Sequence, residues 1–304
     1  MKKIVSLILS AIMISVFAVG CTTGNDSGSN TPQGSAGSTK TFDTSKTINV
    51  VSREDGSGTR GAFVEIVGVL EKDANGNEED RTYEDAIIQN ATDGIMSTVA
   101  GDEYSIGYIS LGSLNNTVKA VKIEGVEPTS ENVQNDSYKI ARPFNVAYKG
   151  ELKSLAKDFL DFILSKEGQA IVAQDGYVPV GTDLPQYTGS TQEGNLVVAG
   201  STSVTPVMEK LVEAYQKIHS GVSIEIQSTG SSAGMQSAIE GTAHLGMASR
   251  ALKDSELEVL TAQTIARDGI AVIVNNKNTV DDLTIDNVRS IYIGEITAWD
   301  EVSK

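Results

Sequence analysis

Residues 47–60 read TINVVSREDGSGTR, a β-branched run that ends in a polar, glycine-containing loop. The run predicts a strand, and the small residues after Asp55 predict a turn into a helix that begins near Thr59. The same succession occurs twice more, in NLVVAGSTSVTP (195–206) and VSIEIQSTGSSAG (222–234). Strands that alternate with helices in this way indicate an α/β fold, and the repeated turns are the candidate functional loops.

Each of these turns places hydroxyl groups and small residues at a predicted helix N-terminus. The first amides of a helix lack partners within the helix, and the helix dipole adds roughly half a positive charge there. Such an end binds a tetrahedral oxyanion. Arg53 adds a charged donor, and Asp55 is expected to hold its guanidinium in place. Taken alone, each turn is also explained by ordinary helix capping, and Arg53 by a surface ion pair.

The composition limits the partners of the chain. Its 304 residues carry 24 Lys and Arg against 40 Asp and Glu, a formal net charge of −16, and 39% of them are hydrophobic. That hydrophobic content can fill a core, and the length suits about two domains. The negative charge is opposite to what nucleic-acid binding requires, so no nucleic-acid partner is expected. It also repels anions at long range, so an anion site would depend on local donors.

Residues 1–21 predict a lipoprotein signal peptide. Lys2 and Lys3 precede an apolar run, and Cys21, the single cysteine, stands where lipoproteins receive their lipid. A plain secretory signal with an incidental cysteine is the alternative. Residues 22–45, rich in Gly, Ser, Thr and Asn, predict a flexible linker. We therefore expect an extracytoplasmic protein that is anchored to the cell membrane through Cys21.

Further elements are predicted along the rest of the chain. An acidic loop is predicted at 73–80, and a polar linker at 185–194 separates two halves of the folded part. The other segments have helical or strand periodicity. Helices are predicted at 59–70, 83–99, 152–173, 206–219, 232–240 and 286–293, and strands at 105–111, 118–123, 144–148, 244–248 and 270–275.

Several short motifs resemble one known family. The motifs are SREDGSGT (52–59), IGYISL (106–111), FILSKEGQ (162–169), GSTSVTP (200–206), GSSAG (230–234), DGIAVIVN (268–275) and IYIGEITAW (291–299). Together they are similar to the phosphate-binding protein of the phosphate-specific ABC importer, the PstS family, and the resemblance covers about residues 47–304.

The resemblance implies a two-lobed fold of the periplasmic-binding-protein type II kind (Venus flytrap), with the ligand in the cleft between the lobes. In the family, GSTSVTP opens the mature protein and SREDGSGT follows IYIGEITAW, so the order here implies a circular permutation. Residues 46–118 with 274–304 would then form lobe 2, and residues 119–273 would form lobe 1. A permuted chain either closes as a monomer, as we expect, or exchanges halves in a swapped dimer.

The resemblance also implies the ligand, which is inorganic phosphate, and the partners, which are the permease subunits of an ABC importer. No catalytic residue, metal or cofactor is expected. The implied phosphate-binding residues are Arg53, Ser57, Gly58, Thr59, Thr202, Ser203 and Ser231, and the supporting residues are Asp55, Ser232, Ser249, Arg250 and Asp268.

Arg250 departs from the family pattern. The best-known members carry an aspartate at this position, where it accepts the proton of hydrogen phosphate and rejects sulfate. The acceptor is therefore expected to be Glu54, Asp55 or Asp268. Alternatively, Arg250 points away and Ser249 serves the site.

Two other functions would use the same anion-binding loops. The first is binding of another tetrahedral oxyanion, such as sulfate or molybdate. The second is a phosphatase-type enzyme, but His219 and His244, the only histidines, neighbour no nucleophile and no cluster with metal-ligand spacing. Both histidines are expected to be ordinary surface residues.

Overall fold

The computed structural model of the chain describes residues 41–73 and 77–302. The predicted signal peptide, the lipidation position Cys21 and the linker as far as residue 40 lie outside the described residues. Within the described ranges, every helix is too short or too polar to span a bilayer.

Strands and helices alternate along most of the described chain, which confirms the predicted α/β class. The strands are β1 (Asn49–Arg53), β2 (Leu70–Lys72), β3 (Glu78–Asp80), β4 (Ile87–Gln89), β5 (Ser105–Ser110), β6 (Lys119–Ala120), β7 (Lys122–Ile123), β8 (Ala141–Lys149), β9 (Glu193–Gly200), β10 (Gly221–Ser228), β11 (Leu245–Ala248), β12 (Leu260–Val274) and β13 (Asp282–Leu283). The helices are α1 (Gly58–Ile66), α2 (Ala91–Gly101), α3 (Ser130–Gln134), α4 (Ser154–Ile163), α5 (Lys166–Gln174), α6 (Thr205–Ile218), α7 (Ser231–Glu240), α8 (Asp254–Leu257) and α9 (Ile285–Tyr292).

Most of these strands form one mixed sheet in the order β10-β9-β11-β8-β12-β5-β1-β4, with β6 also paired to β12. The long strand β12 joins the two halves of the sheet. Its residues up to Gly269 pair with β8, and its residues from Ile270 pair with β5. Because β9 and β10 are parallel neighbours, the turns that follow them leave the sheet at the same edge.

The buried apolar side chains form two large clusters, one in each half of the sheet. The first includes Ile48, Phe63 and Trp299, and the second includes Phe144 and Met247. The division into lobes at 118/119 and 273/274 stays a prediction. Cluster membership favours limits nearer 141 and 269, because the segment from 121 to 140 and the last part of β12 pack in the first cluster.

The two ends of the described chain are hydrogen-bonded to each other. The Ile48 amide donates to the Thr297 carbonyl oxygen at 2.8 Å, and the Asp300 amide donates to the Thr44 carbonyl oxygen at 2.8 Å. Trp299, which is 2% exposed, packs near Phe42. The permuted order requires these regions to be neighbours, but the permutation itself stays a prediction.

Two of the predicted helices are wrong in part. The segment 83–99 contains strand β4, which pairs with β1 in parallel, and only then helix α2. Tertiary pairing therefore overrides the local helical pattern. The segment 152–173 is two helices. The first ends at Ile163, and Ser165 caps the second, because its hydroxyl accepts from the Gly168 amide at 3.2 Å.

Two of the predicted strand and loop segments also differ from the structure. The predicted loop at 73–80 ends in β3, which forms a hairpin with β2. The predicted strand at 270–275 is only the end of β12, which begins at Leu260. Polar residues in the first part of β12 obscure the strand pattern in the sequence. Pairing with β8 nevertheless makes this part a strand. The remaining predicted elements lie close to the observed ones.

Candidate functional site

The three polar turns meet in one place. Thr59 of the first turn and Ser203 of the second share a hydrogen bond of 2.8 Å between their hydroxyls. Arg53 donates from Nη2 to Thr202 Oγ1 at 2.9 Å. The third turn joins them at Ser232, whose amide donates to the Gly56 carbonyl oxygen at 3.1 Å. The first loop precedes the other two by about 145 to 180 residues, yet all three meet between the two halves of the sheet, at the place called the cleft below.

Gly58 marks the closest approach of the first and third turns. A methyl group added to its Cα would overlap the Ser231 hydroxyl and would lie 2.8 Å from Ser249 Oγ. Glycine is therefore the residue that allows helix α1 to meet helix α7 end to end. Both helix N-termini face the same cleft, so their free amides and dipoles act on the same volume.

Arg53 is buried at the end of β1 and is 2% exposed. The expectation that Asp55 holds its guanidinium is wrong. Glu54 does so instead, accepting from Arg53 Nε at 2.7 Å and from Nη2 at 2.8 Å. The Asp55 side chain is 97% exposed and pairs with Arg60 at 2.8 Å. Adjacent side chains at the end of an extended strand point in different directions. The sequence alone did not show which of the two carboxylates faces inward.

Arg250 is held by another carboxylate. Its Nη1 and Nη2 atoms each donate to Glu256 at 2.8 Å, while Nη2 lies 3.4 Å from Ser232 Oγ. Burial works against the ionised form of Glu256, but the hydrogen bonds from Arg250 and the Lys253 amide, together with the positive charges of both residues, lower the pKa of Glu256. Ser249 lies in the cleft, where its amide donates to Ser231 Oγ at 3.2 Å. Arg250 and Ser249 thus both lie beside the third turn, and the choice between the two alternatives for this segment stays a prediction.

Asp268 pairs with a buried arginine that the sequence did not single out. Arg142 of β8 donates from Nε and Nη2 to Asp268 Oδ2, at 3.2 and 3.0 Å. Its Nη1 atom donates to the Ser249 carbonyl oxygen at 3.0 Å. Burial raises the pKa of Asp268 to about 6, although Arg142 acts in the opposite direction. Asp268 therefore supports the cleft through Arg142 and Ser249.

Thr92 is a further residue that the sequence did not indicate. Thr92 lies at the start of helix α2 and is 5% exposed, and its hydroxyl is 3.4 Å from Ser203 Oγ. The hydroxyls of Thr59, Thr92 and Ser203 thus form a group of three neighbours. Its segment resembled the middle of a helix, so no pattern predicted a helix N-terminus there.

The two histidines lie away from this cleft. His219 is 3% exposed, so the expectation of a surface residue is wrong for it. Its Nε2 atom shares a hydrogen bond of 2.7 Å with Tyr187 Oη, and its Nδ1 atom accepts from the Gln192 amide at 3.3 Å. His244 Nδ1 accepts from the Val197 amide at 3.0 Å. In the part of the chain that the structure describes, no cluster of His, Cys, Asp and Glu is arranged to hold a metal.

Comparisons with known proteins agree with this fold and this cleft. A family model described as a PBP superfamily domain matches residues 29–167 and 185–304. Phosphate-binding protein PstS 2 of Streptococcus agalactiae serotype V is 49% identical over 260 residues, which are 85% of this chain and 88% of that protein. The protein of the same name from Streptococcus pneumoniae serotype 4 is 46% identical over 258 residues, again 85% of this chain and 88% of that protein.

A solved structure supports the same relationship. The crystal structure of a phosphate ABC transporter, phosphate-binding protein from Streptococcus pneumoniae, matches with a TM-score of 0.69 at 46% identity. The match covers 84% of this chain and 100% of that one. The fold and the family model thus define the class, and the chain belongs to the PBP superfamily. Within that superfamily, it belongs to the PstS family of phosphate-binding proteins.

Proposed function

We propose that this protein captures inorganic phosphate between its two lobes and delivers it to an ABC importer. The convergence of three helix-start loops on one cleft is the observation that carries the proposal. Those loops supply amides and hydroxyls, which bind a tetrahedral anion without requiring a net positive charge on the protein. This matters because the whole chain has a formal net charge of −16. The names of its relatives, phosphate-binding protein PstS 2, support the choice of anion.

In the proposed complex, both lobes contribute donors to the same anion. Arg53 pairs with phosphate oxygens while Glu54 keeps its guanidinium oriented. The hydroxyls that now bond to one another across the cleft become donors to the ligand. The proposed phosphate-binding residues are Arg53, Ser57, Gly58, Thr59, Thr202, Ser203 and Ser231.

The cellular setting is part of the same proposal. We infer an extracytoplasmic monomer that is anchored through a lipid on Cys21 and docks on the permease subunits of the importer. The family supports the importer, and the sequence pattern around Cys21 supports the anchor. The permuted order of segments is supported by the hydrogen bonds that Thr297 and Asp300 form with Ile48 and Thr44.

Calorimetric titration of the purified protein with phosphate, sulfate and molybdate tests the proposed ligand. We expect saturable binding of phosphate and weaker binding of the other two anions. A phosphate dissociation constant above about 1 mM would contradict specific capture, because it corresponds to a binding free energy of only about 4 kcal/mol. Tighter binding of sulfate or molybdate would favour a different oxyanion, and turnover of a phosphate ester would favour an enzyme.

Substitution of Arg53 tests the position of the site. Arg53→Ala removes a buried guanidinium, whose charged hydrogen bonds contribute about 1.5 to 3 kcal/mol each, so we expect phosphate affinity to fall at least tenfold. Arg81→Ala is the control, because Arg81 is half exposed and pairs only with exposed carboxylates. Equal affinity of the Arg53 variant and the control would place the anion elsewhere.

A further inference from the structure

The buried ion pair of Arg142 and Asp268 lies directly behind the loops of the cleft. The two residues are 2% and 1% exposed. Arg142 reaches the cleft through the Ser249 carbonyl oxygen, and the amide of Ser249 bonds to the Ser231 hydroxyl. The pair stands on the neighbouring strands β8 and β12, and β12 is the strand that joins the two halves of the sheet. Only Ser249 separates the Arg142 guanidinium from the third turn.

One oxygen of this pair has unused hydrogen-bonding capacity. Both hydrogen bonds from Arg142 go to Asp268 Oδ2, and Oδ1 has no partner among the described residues. The buried hydroxyls of Ser110 and Tyr177 likewise have none there. Ser110 and the Gly112 amide lie outside good hydrogen-bonding geometry with Oδ1 but near enough to lower the pKa of Asp268, while burial and the Asp268 charge raise the pKa of Tyr177. A proton on Oδ1 would thus find acceptors beside it.

The other charged and titratable groups around the pair do not substitute for Asp268. Burial raises the pKa of both Tyr138 and Tyr177, so these two phenols stay neutral. Burial lowers the pKa of Arg142, and the positive charge of Arg53 acts in the same direction, whereas Asp268 opposes both. Asp268 is consequently the one member of this group that can change its charge near neutral pH.

We propose that Asp268 is a charge-adjusting residue, which takes up a proton on Oδ1 when phosphate enters the cleft and so leaves the Arg142 cation uncompensated behind the anion. The proposal rests on the proposed phosphate function. The step is a transfer of H⁺ from solvent to the carboxylate, and no other bond forms or breaks. It acts from behind Ser249, so Asp268 and Arg142 are positioning residues that need not touch the ligand.

The sign of the pH dependence follows from this charge balance. A bound anion disfavours a second negative charge nearby, so the pKa of Asp268 is higher in the complex than in the free protein. The complex then binds more protons, and phosphate affinity rises as the pH falls from about 8 towards the free pKa. Each unit of difference between the two pKa values makes the affinity tenfold higher at the acid end.

Proton uptake measured by calorimetry tests the proposal. Phosphate is titrated into the wild type and into Asp268→Asn at pH 7 to 8, in buffers of different ionisation enthalpy. The asparagine keeps the shape but is always neutral, so we expect it to bind phosphate more tightly above pH 7 and to take up fewer protons. Protonation of phosphate itself is common to both proteins and cancels in the difference. Asp136→Asn is the matched control. Asp136 is an exposed carboxylate that pairs at 2.5 Å with Arg267, the residue next to Asp268 in β12.

A second measurement does not depend on a variant that folds. The infrared difference spectrum of the wild type, phosphate-bound minus free, should show a new carboxylic acid band that shifts in deuterium oxide. Phosphate binding with no such band, or with equal proton uptake by the wild type and a folded Asp268→Asn, would overturn the proposal and leave the phosphate function intact. Absence of phosphate binding by the wild type would overturn both.

Discussion

Glu54 lies on the guanidinium that we propose as the main charged donor to phosphate. Of the three acids expected as proton acceptor we favour Glu54, since Asp55 points to solvent and Asp268 lies behind Ser249. The sequence singled out this turn and Arg53, and the structure brings both to the cleft. It did not distinguish between two adjacent acids, because their directions depend on where β1 ends against the sheet.

Glu54→Gln is expected to reduce the discrimination between phosphate and sulfate. Sulfate has no proton to donate at neutral pH, whereas an amide in place of the carboxylate can donate to either anion. A hydrogen bond to a charged group contributes about 1.5 to 3 kcal/mol, so the ratio of the two affinities should fall roughly 10- to 100-fold. Competition titrations measure it, with Asp55→Asn as the control. An unchanged ratio in Glu54→Gln would exclude Glu54 as the acceptor.

Thr92→Val is expected to weaken phosphate binding moderately. The variant keeps the shape but loses the hydroxyl near Ser203, and a neutral hydrogen bond contributes about 0.5 to 1.5 kcal/mol, or roughly 2- to 10-fold in affinity. Thr92→Ser should restore most of the loss. Thr98→Val is the control, because that hydroxyl donates to the Gly94 carbonyl oxygen of its own helix at 2.9 Å. An affinity loss as large in the control as in Thr92→Val would mean that Thr92 has no role in the cleft.

Helix α1 shows how a whole element is adapted to closure of the cleft. Its first residue, Gly58, faces Ser231 and Ser249, while Gly61, one turn later, faces only the Arg250 side chain at an ordinary 3.5 Å. The strand–turn–helix pattern predicted this element close to its position. Which of the two glycines is sterically required depends on a helix from the other half of the sheet, and local sequence does not contain that information.

Gly58→Ala should therefore impair binding much more than Gly61→Ala. The added methyl group at position 58 collides with Ser231, which keeps the two lobes apart, and we expect at least a tenfold loss of phosphate affinity. The methyl group at position 61 has room and improves helix propensity by up to about 1 kcal/mol, so affinity should be unchanged and stability equal or higher. Calorimetry and thermal unfolding measure both effects. Full affinity of Gly58→Ala would show that the two helices do not meet in the bound form.

The molecule as a whole is closed by contacts between the two ends of the described chain. Trp299 belongs to the first apolar cluster, and its indole donates from Nε1 to the Tyr104 carbonyl oxygen at 3.2 Å. Segments from both ends thus build the first apolar cluster, and neither end completes this cluster alone.

Trp299→Ala is expected to lower the free energy of unfolding by about 3 to 5 kcal/mol, because it leaves a large cavity and breaks the contact between the ends. Urea unfolding followed by circular dichroism measures the loss. Val259→Ala, at a side chain that is 41% exposed, should cost much less. A loss below about 1 kcal/mol for Trp299→Ala would mean that the junction contributes little to stability.

The sequence by itself determined the α/β class, the three polar turns at helix starts and the PstS family, because strand periodicity, helix starts and motif residues are local properties of the chain. The tertiary structure alone decided that Glu54 rather than Asp55 holds Arg53, that Arg250 pairs with Glu256, and that Arg142 and Thr92 join the cleft. These contacts connect residues from different strands and helices. Their partners are chosen by the packing of the two halves of the sheet, which no local pattern encodes.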